Sequence, residues 1–267
     1  MQYTTKDGVR LTYELHQNQK TVPVVFVHGF PFSKMMWRPQ IEFLQNDFSI
    51  LAFDIRGHGE SEVGDGQYSL ELLVDDFFGL LDHLDIRQCI AIGLSMGGYI
   101  LLRAVQRNPE RFGGLVLCDT KSEADTDEIK LRRAAQAKAV KSMDINQFAE
   151  AFVKNVFASE AFQRHPGAVR QIHETIAQTS PTSIAGTLLA LAGRSDTTAV
   201  LPNISVPVLI LVGQLDAVTP VSSSLSMKER IAGSEFHAIP HAGHLSNLEN
   251  PEEFNRHLDS FLRRIVA

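Results

Sequence analysis

Gly93-Leu94-Ser95-Met96-Gly97 has the G-x-S-x-G spacing of a serine held at a sharp turn between a strand and a helix. An apolar run, residues 89–93, precedes it, and a helical pattern over residues 96–107 follows. A turn of this kind forces the serine backbone into a strained conformation and lifts its hydroxyl above the sheet. Side chains in place of the flanking glycines would collide with the neighbouring strand and helix. The helix N-terminus at Met96 also favours negative charge beside Ser95. An ordinary glycine-flanked turn needs neither the strand before nor the helix after.

A serine hydroxyl is a weak nucleophile at neutral pH and requires an adjacent base. Pro240-His241-Ala242-Gly243-His244 follows the last strand-like run. His244, behind the small Ala242-Gly243 pair, is the better base, which leaves His241 a packing or hydrogen-bonding role. An acid must then fix the imidazole tautomer and stabilise the imidazolium. Asp216 lies just past the end of the run at 208–212, and Asp119, which also ends a strand-like run, is its rival. The tight Gly213-Gln214-Leu215-Asp216 turn favours Asp216, because it points a carboxylate toward the histidine loop. The developing oxyanion needs two donors: the backbone N–H of Met96 supplies one. His28-Gly29-Phe30-Pro31 supplies the other through Phe30, since Pro31 has no N–H.

These residues must be carried by a rigid frame. Apolar runs at 23–27, 49–53, 89–93, 115–118, 208–212 and 235–239 read as buried strands. Helical patterns at 36–45, 70–84, 96–107, 222–231 and 251–265 separate them, and residues 4–15 read as a leading hairpin turning at Asp7-Gly8. This alternation predicts an α/β fold with a mainly parallel sheet. Residues 123–194 break the alternation with almost continuous helical pattern, interrupted near Pro166-Gly167 and Ser180-Pro181. The expected organisation is a core over 1–122 and 195–267, with a helical cap at 123–194.

Composition narrows the function classes. The chain has 267 residues, 44% hydrophobic and 21% charged, and a net charge of -6, which gives no footprint for nucleic acid. Cys89 and Cys118 each sit in an apolar run and read as core thiols, not as a disulfide or metal ligands. No metal or cofactor is expected. The N-terminal residues lack the basic and apolar regions of a secretory signal, and no apolar run reaches the ~20 residues needed to span a bilayer. The expected location is cytoplasmic, with no membrane partner.

His28-Gly29-Phe30-Pro31, the run from Asp54 to Ser61, the Ser95 turn, Gly213 to Asp216 and His241 to His244 together resemble the α/β-hydrolase superfamily. The resemblance covers nearly the whole chain outside the cap, and the order Ser95, Asp216, His244 is the superfamily's own. Within it the chain is similar to small carboxylesterases and 3-oxoadipate enol-lactonases, notably in Ser95-Met96-Gly97-Gly98 and Leu117-Cys118-Asp119-Thr120. The resemblance implies a serine hydrolase acting on a small ester or lactone through an acyl-enzyme, without a cofactor. It gives the Asp54 to Ser61 run a structural role beside the site. Serine at position 95 separates the chain from dehalogenases and epoxide hydrolases of this fold, which use aspartate. Carbon–carbon bond hydrolysis, perhydrolysis, or a ligand receptor built on the scaffold are the alternatives. Trp37, Phe148 and Phe152 are candidate apolar walls of the substrate pocket. Cap arginines such as Arg132, Arg133, Arg164 and Arg170 are candidates for holding a substrate carboxylate.

Overall fold

The structure is a computed structural model that describes residues 1–18 and 22–266. Its strands are β1 (Gln2–Thr4), β2 (Arg10–His16), β3 (Val24–Val27), β4 (Ile50–Phe53), β5 (Cys89–Leu94), β6 (Phe112–Cys118), β7 (Val208–Gly213) and β8 (Glu235–Ile239). They form one sheet in the order β1-β2-β4-β3-β5-β6-β7-β8. The leading hairpin pairs antiparallel, Gln2 opposite Thr12, and β2 pairs antiparallel with β4. From β4 onward every pairing is parallel. β3, β4, β5 and β7 are buried along their whole length, which is why they read as unbroken apolar runs. β6 starts at Phe112, three residues before the apolar run suggests. Gly113 and Gly114 mask its beginning, and the ladder to β5 is irregular there, between Cys89 and Ile90.

The core helices are α1 (Arg38–Leu44), α2 (Leu70–His83), α3 (Met96–Arg107), α9 (Val221–Arg230), α10 (Ser246–Glu249) and α11 (Pro251–Val266). The single helix expected at 36–45 is a 3-10 turn, Lys34–Trp37, running into α1, because Pro39 suits only a helix's first turn. α2 starts where the Ser69 side chain accepts from the Leu72 N–H. Its apolar stripe (Leu70, Leu73, Val74, Phe77, Leu81) is buried, and α2 packs on α3. α1 packs on α11.

Between β6 and β7 lie five consecutive helices: α4 (Asp127–Ala139), α5 (Ile145–Val156), α6 (Ala161–Arg164), α7 (Pro166–Gln178) and α8 (Pro181–Ala192). Thr126, Asp144 and Ser180 cap α4, α5 and α8, and prolines open α7 and α8, so the sequence breaks at 166 and 181 are helix starts. α4 packs on α8 and α5 on α7.

Two motifs are absorbed by the frame. Asp54 is fully buried and accepts from the backbone N–H and Nζ of Lys34, both at 2.7 Å, and from the Glu60 N–H at 3.0 Å. Arg56 is equally buried, its guanidinium bonded to Asp76 and Asp7. The Asp54 to Ser61 run is thus a tied turn. Trp37 departs from the expected pocket wall: it is fully buried, with its ring 5.0 Å from Phe26 and 6.3 Å from Phe254. The 3-10 turn carries its indole into the core. Both cysteines are free and buried, and burial pushes the Cys89 thiol up to about 12. Among the described residues no helix is long and apolar enough to cross a membrane.

Candidate active site

β5 ends and α3 begins on either side of Ser95, whose φ of 54° and ψ of -112° are strained for a side-chain-bearing residue. The surroundings hold it there. Its N–H donates to the Cys118 carbonyl at 2.9 Å, and its own carbonyl accepts from the Thr120 hydroxyl at 2.8 Å. A Cβ at Gly97 would lie 2.2 Å from the Val27 carbonyl oxygen, and one at Gly93 would lie 2.5 Å from the Gly97 carbonyl carbon. Only glycine lets strand and helix approach this closely.

His244 follows β8 and is buried. Its Nδ1 lies 2.8 Å from Asp216 Oδ2, and the Thr219 hydroxyl is 3.3 Å from the same nitrogen. Asp216 is itself fixed: Oδ1 accepts from the N–H groups of Val218 at 2.7 Å and Thr219 at 3.0 Å, and Oδ2 accepts from Thr219 Oγ1 at 2.7 Å. Burial works to raise this carboxyl, but His244 and the Thr219 donors outweigh it and hold Asp216 below the usual carboxylate range. With Nδ1 occupied, Nε2 of His244 has no protein partner among the described residues.

The rival groups are elsewhere or otherwise engaged. His241 has a largely exposed ring, 3.9 Å from Glu160. Asp119 is buried at φ 45°, with Oδ1 accepting from the Gly213 N–H at 2.7 Å and Oδ2 from the Ser246 hydroxyl. Burial and then repulsion from Asp216 push its carboxyl well above the usual range. Ligand-type atoms of Asp119, Asp216 and His244 lie within 4.8 Å of one another, a spacing a metal ion could also use. The N–H and O–H donors already bonded to both carboxylates account for the cluster as a hydrogen-bonded network.

Ser95 and His244 open into one cavity of about 710 Å³ with Phe30, Met96, Phe148 and Phe152 in its walls. Trp37 is not among the lining residues. The Phe30 and Phe152 rings meet edge to face at 5.9 Å, and Phe148 lies 5.7 Å from Phe152. No acceptor is found among the described residues for the N–H groups of Phe30 and Met96. Arg132 and Arg133 reach the cavity, whereas Arg164 and Arg170 do not.

The family described as the alpha/beta hydrolase fold matches residues 22–251. The chain belongs to the α/β-hydrolase family. Among known relatives, this hydrolase is 29% identical over 260 residues to 3-oxoadipate enol-lactonase 2 of Acinetobacter baylyi, covering 97% of this chain and 96% of that one. A thermophilic esterase from Thermogutta terrifontis, solved with malate bound, superimposes with a TM-score of 0.95 at 35% identity, covering 100% of this chain and 99% of its own. The enol-lactonase from Burkholderia xenovorans has a TM-score of 0.91 at 26% identity, with 98% and 100% covered.

Several residues of this α/β hydrolase's site escape a reading of the sequence. Thr219 carried a usable signal, because an aspartate in a turn readily accepts from the N–H groups two and three residues on, as Asp216 does from Val218 and Thr219. Glu249 carried none. Its buried carboxylate accepts from the N–H groups of Ala158 at 2.8 Å, Gly243 at 2.9 Å and Leu245 at 3.3 Å. The His244 N–H in turn donates to the Val156 carbonyl at 2.8 Å, so the histidine loop is joined to the end of α5.

Proposed function

We propose that this α/β hydrolase cleaves a small carboxylic ester or lactone through an acyl-enzyme on Ser95. The observation that carries the reading is the His244–Asp216 bond in a cavity shared with the strained Ser95. Ser95 Oγ attacks the carbonyl carbon while His244 Nε2 takes its proton, and Asp216 holds Nδ1–H and stabilises the imidazolium. The N–H groups of Phe30 and Met96 receive the oxyanion, each donor being worth about 10²–10³ in rate. His244 returns the proton to the departing alkoxide, and the alcohol leaves. A water, deprotonated by His244, then attacks the acyl-enzyme and releases the acid, and the proton goes back to Ser95. The relatives named as esterases and enol-lactonases support the substrate class. A cytoplasmic location belongs to the same reading, and fractionation of the native host tests it.

A fluorophosphonate probe is expected to label the wild type at Ser95, and Ser95→Ala to remove both the label and turnover, with a kcat loss of about 10⁴–10⁶. A panel of p-nitrophenyl esters of increasing acyl length, with several lactones, reads the substrate range. Wild-type-like activity in a clean Ser95→Ala preparation would move the nucleophile elsewhere.

A further inference from the structure

The turn around Ser95 carries one glycine more than its strand and helix require. Gly93 and Gly97 let β3, β5 and α3 close on one another, whereas Gly98 has a different neighbour: a Cβ there would lie 2.6 Å from both Cβ and Cγ2 of Thr120. Thr120 is fully buried, and its side chain fills the space that Gly98 leaves. Any side chain at 98 would push Thr120 off the Ser95 carbonyl, to which its Oγ1 donates at 2.8 Å. Thr120 is itself held from behind. Cys118 closes β6 and its carbonyl accepts from the Ser95 N–H at 2.9 Å. Asp119, at φ 45°, donates its N–H to the Leu211 carbonyl at 2.8 Å and accepts from the Gly213 N–H at 2.7 Å. Residues 118 and 120 therefore grip the Ser95 backbone while 119 is fastened to β7.

This grip reaches the residue after the serine. A peptide unit is planar and trans, so its carbonyl and its N–H point opposite ways. The unit that carries the Ser95 carbonyl also carries the Met96 N–H, which has no acceptor among the described residues. Turning one turns the other. The Ser95 carbonyl has a second donor, the Tyr99 N–H at 3.2 Å, a helix bond longer than the one from Thr120. At φ 54° and ψ -112° Ser95 holds this unit in a sparsely populated orientation, which needs a restraint to persist. An oxyanion donor must end about 2.7–3.1 Å from the charged oxygen, so a small rotation of the plane spoils its aim.

We infer, resting on the acyl-enzyme reading above, that Thr120 is a positioning residue whose hydroxyl, admitted by Gly98, turns the Ser95–Met96 peptide so that the Met96 N–H is aimed at the oxyanion. Thr120 does not line the cavity. It acts on the stabilisation of the tetrahedral oxygen and leaves ground-state binding of the substrate alone.

The test is the preference for an oxygen ester over its thionoester, p-nitrophenyl acetate against p-nitrophenyl thionoacetate, read as a ratio of kcat/KM. Sulfur is a weak hydrogen-bond acceptor, so the ratio reports on the oxyanion donors. Wild type is expected to favour the oxygen ester. Thr120→Val keeps the shape and removes the hydroxyl. It should lower kcat on the oxygen ester about 10- to 100-fold with little change in KM, less than the ~10²–10³ for outright loss of a donor, and narrow the preference by a similar factor. Thr120→Ser should keep the wild-type ratio, and Gly98→Ala should narrow it as Thr120→Val does. A Thr120→Val enzyme with a lowered Tm and an unchanged ratio, or the same narrowing in Thr120→Ser, would make Thr120 a packing residue and overturn the inference. Crystals of wild type and Thr120→Val need no turnover. The Ser95–Met96 peptide should be rotated in the variant, and an unmoved plane overturns the inference whether or not either ester is cleaved. A rotated plane in a protein that cleaves neither ester, or that keeps full activity as Ser95→Ala, would sink the acyl-enzyme reading and leave the hold of Thr120 on the peptide standing.

Discussion

Two buried aspartates end neighbouring strands of the sheet, and only Asp216 bonds the imidazole. Asparagine at 216 keeps the size but loses the charge and can impose the wrong tautomer; Asp216→Asn is expected to lower kcat by about 10⁴ with a smaller change in KM. Asp119→Asn should be far milder, because its carbonyl can still accept from Gly213. Measuring kcat for both variants on one activated ester, with thermal melts, decides between them; a dead Asp119 variant beside a nearly normal Asp216 variant would transfer the acid. Asp119 also sets a pH dependence of stability. Burial, then Asp216, raises its folded-state pKa, so the folded protein binds a proton there that the unfolded chain has released. Its contribution is fully present below the ordinary carboxylate range and is lost as pH rises through the raised folded value. Wild type should therefore lose stability relative to Asp119→Asn as pH climbs from about 4 toward neutrality, and paired melts across that range read the difference. A constant gap between the two would contradict the assignment. The triad candidates are legible because turn chemistry places them: a glycine-flanked serine, a Gly-x-x-Asp turn, a histidine after two small residues. Proximity between Asp119 and Asp216 is not, since nothing local records which strand ends are neighbours. Trp37 misleads for a related reason: an aromatic near the Phe30 loop reads the same whether it faces the site or the core.

The elements differ in how much of themselves they declare. Strands buried on both faces declare themselves as unbroken apolar runs, and α3 runs from Met96 to Arg107 as its pattern predicts. β6 hides its first residues behind two glycines, and α10 is four residues long, too short for any helical period to show. Yet α10 carries Glu249, whose three backbone donors fix both the histidine loop and Ala158, two residues past the end of α5. Glutamine there keeps one acceptor and turns an amide N–H₂ toward donors. Glu249→Gln is expected to cost about 1–3 kcal/mol, since at least one buried N–H loses its partner. That should appear as a Tm several degrees lower, and kcat should fall more than KM rises, because His244 is displaced and the cavity is not. An unaltered kcat with a lowered Tm would make Glu249 a stability residue alone.

For the molecule as a whole, the sequence displays the alternation of strand and helix and its interruption by the inserted helices. It does not display the sheet order, in which β3 sits between β4 and β5, because strand neighbours are chosen by long-range packing. Cavity chemistry is hidden for the same reason: Lys121 from the end of β6, Arg132 from α4 and Phe152 from α5 meet only after α4 has packed on α8 and α5 on α7. The junction between the insertion and the histidine loop has one more consequence. It is made by the Val156 carbonyl and the Ala158 N–H, main-chain atoms that every residue type but proline at 158 would supply. The inserted helices are therefore free to exchange side chains, and with them the substrates they admit, while the support of His244 is inherited unchanged. A chimera that imports these helices from a relative keeps this support of His244 as long as it keeps the path of the chain through 156–158, so new substrate ranges can be tried by recombination without rebuilding the histidine loop.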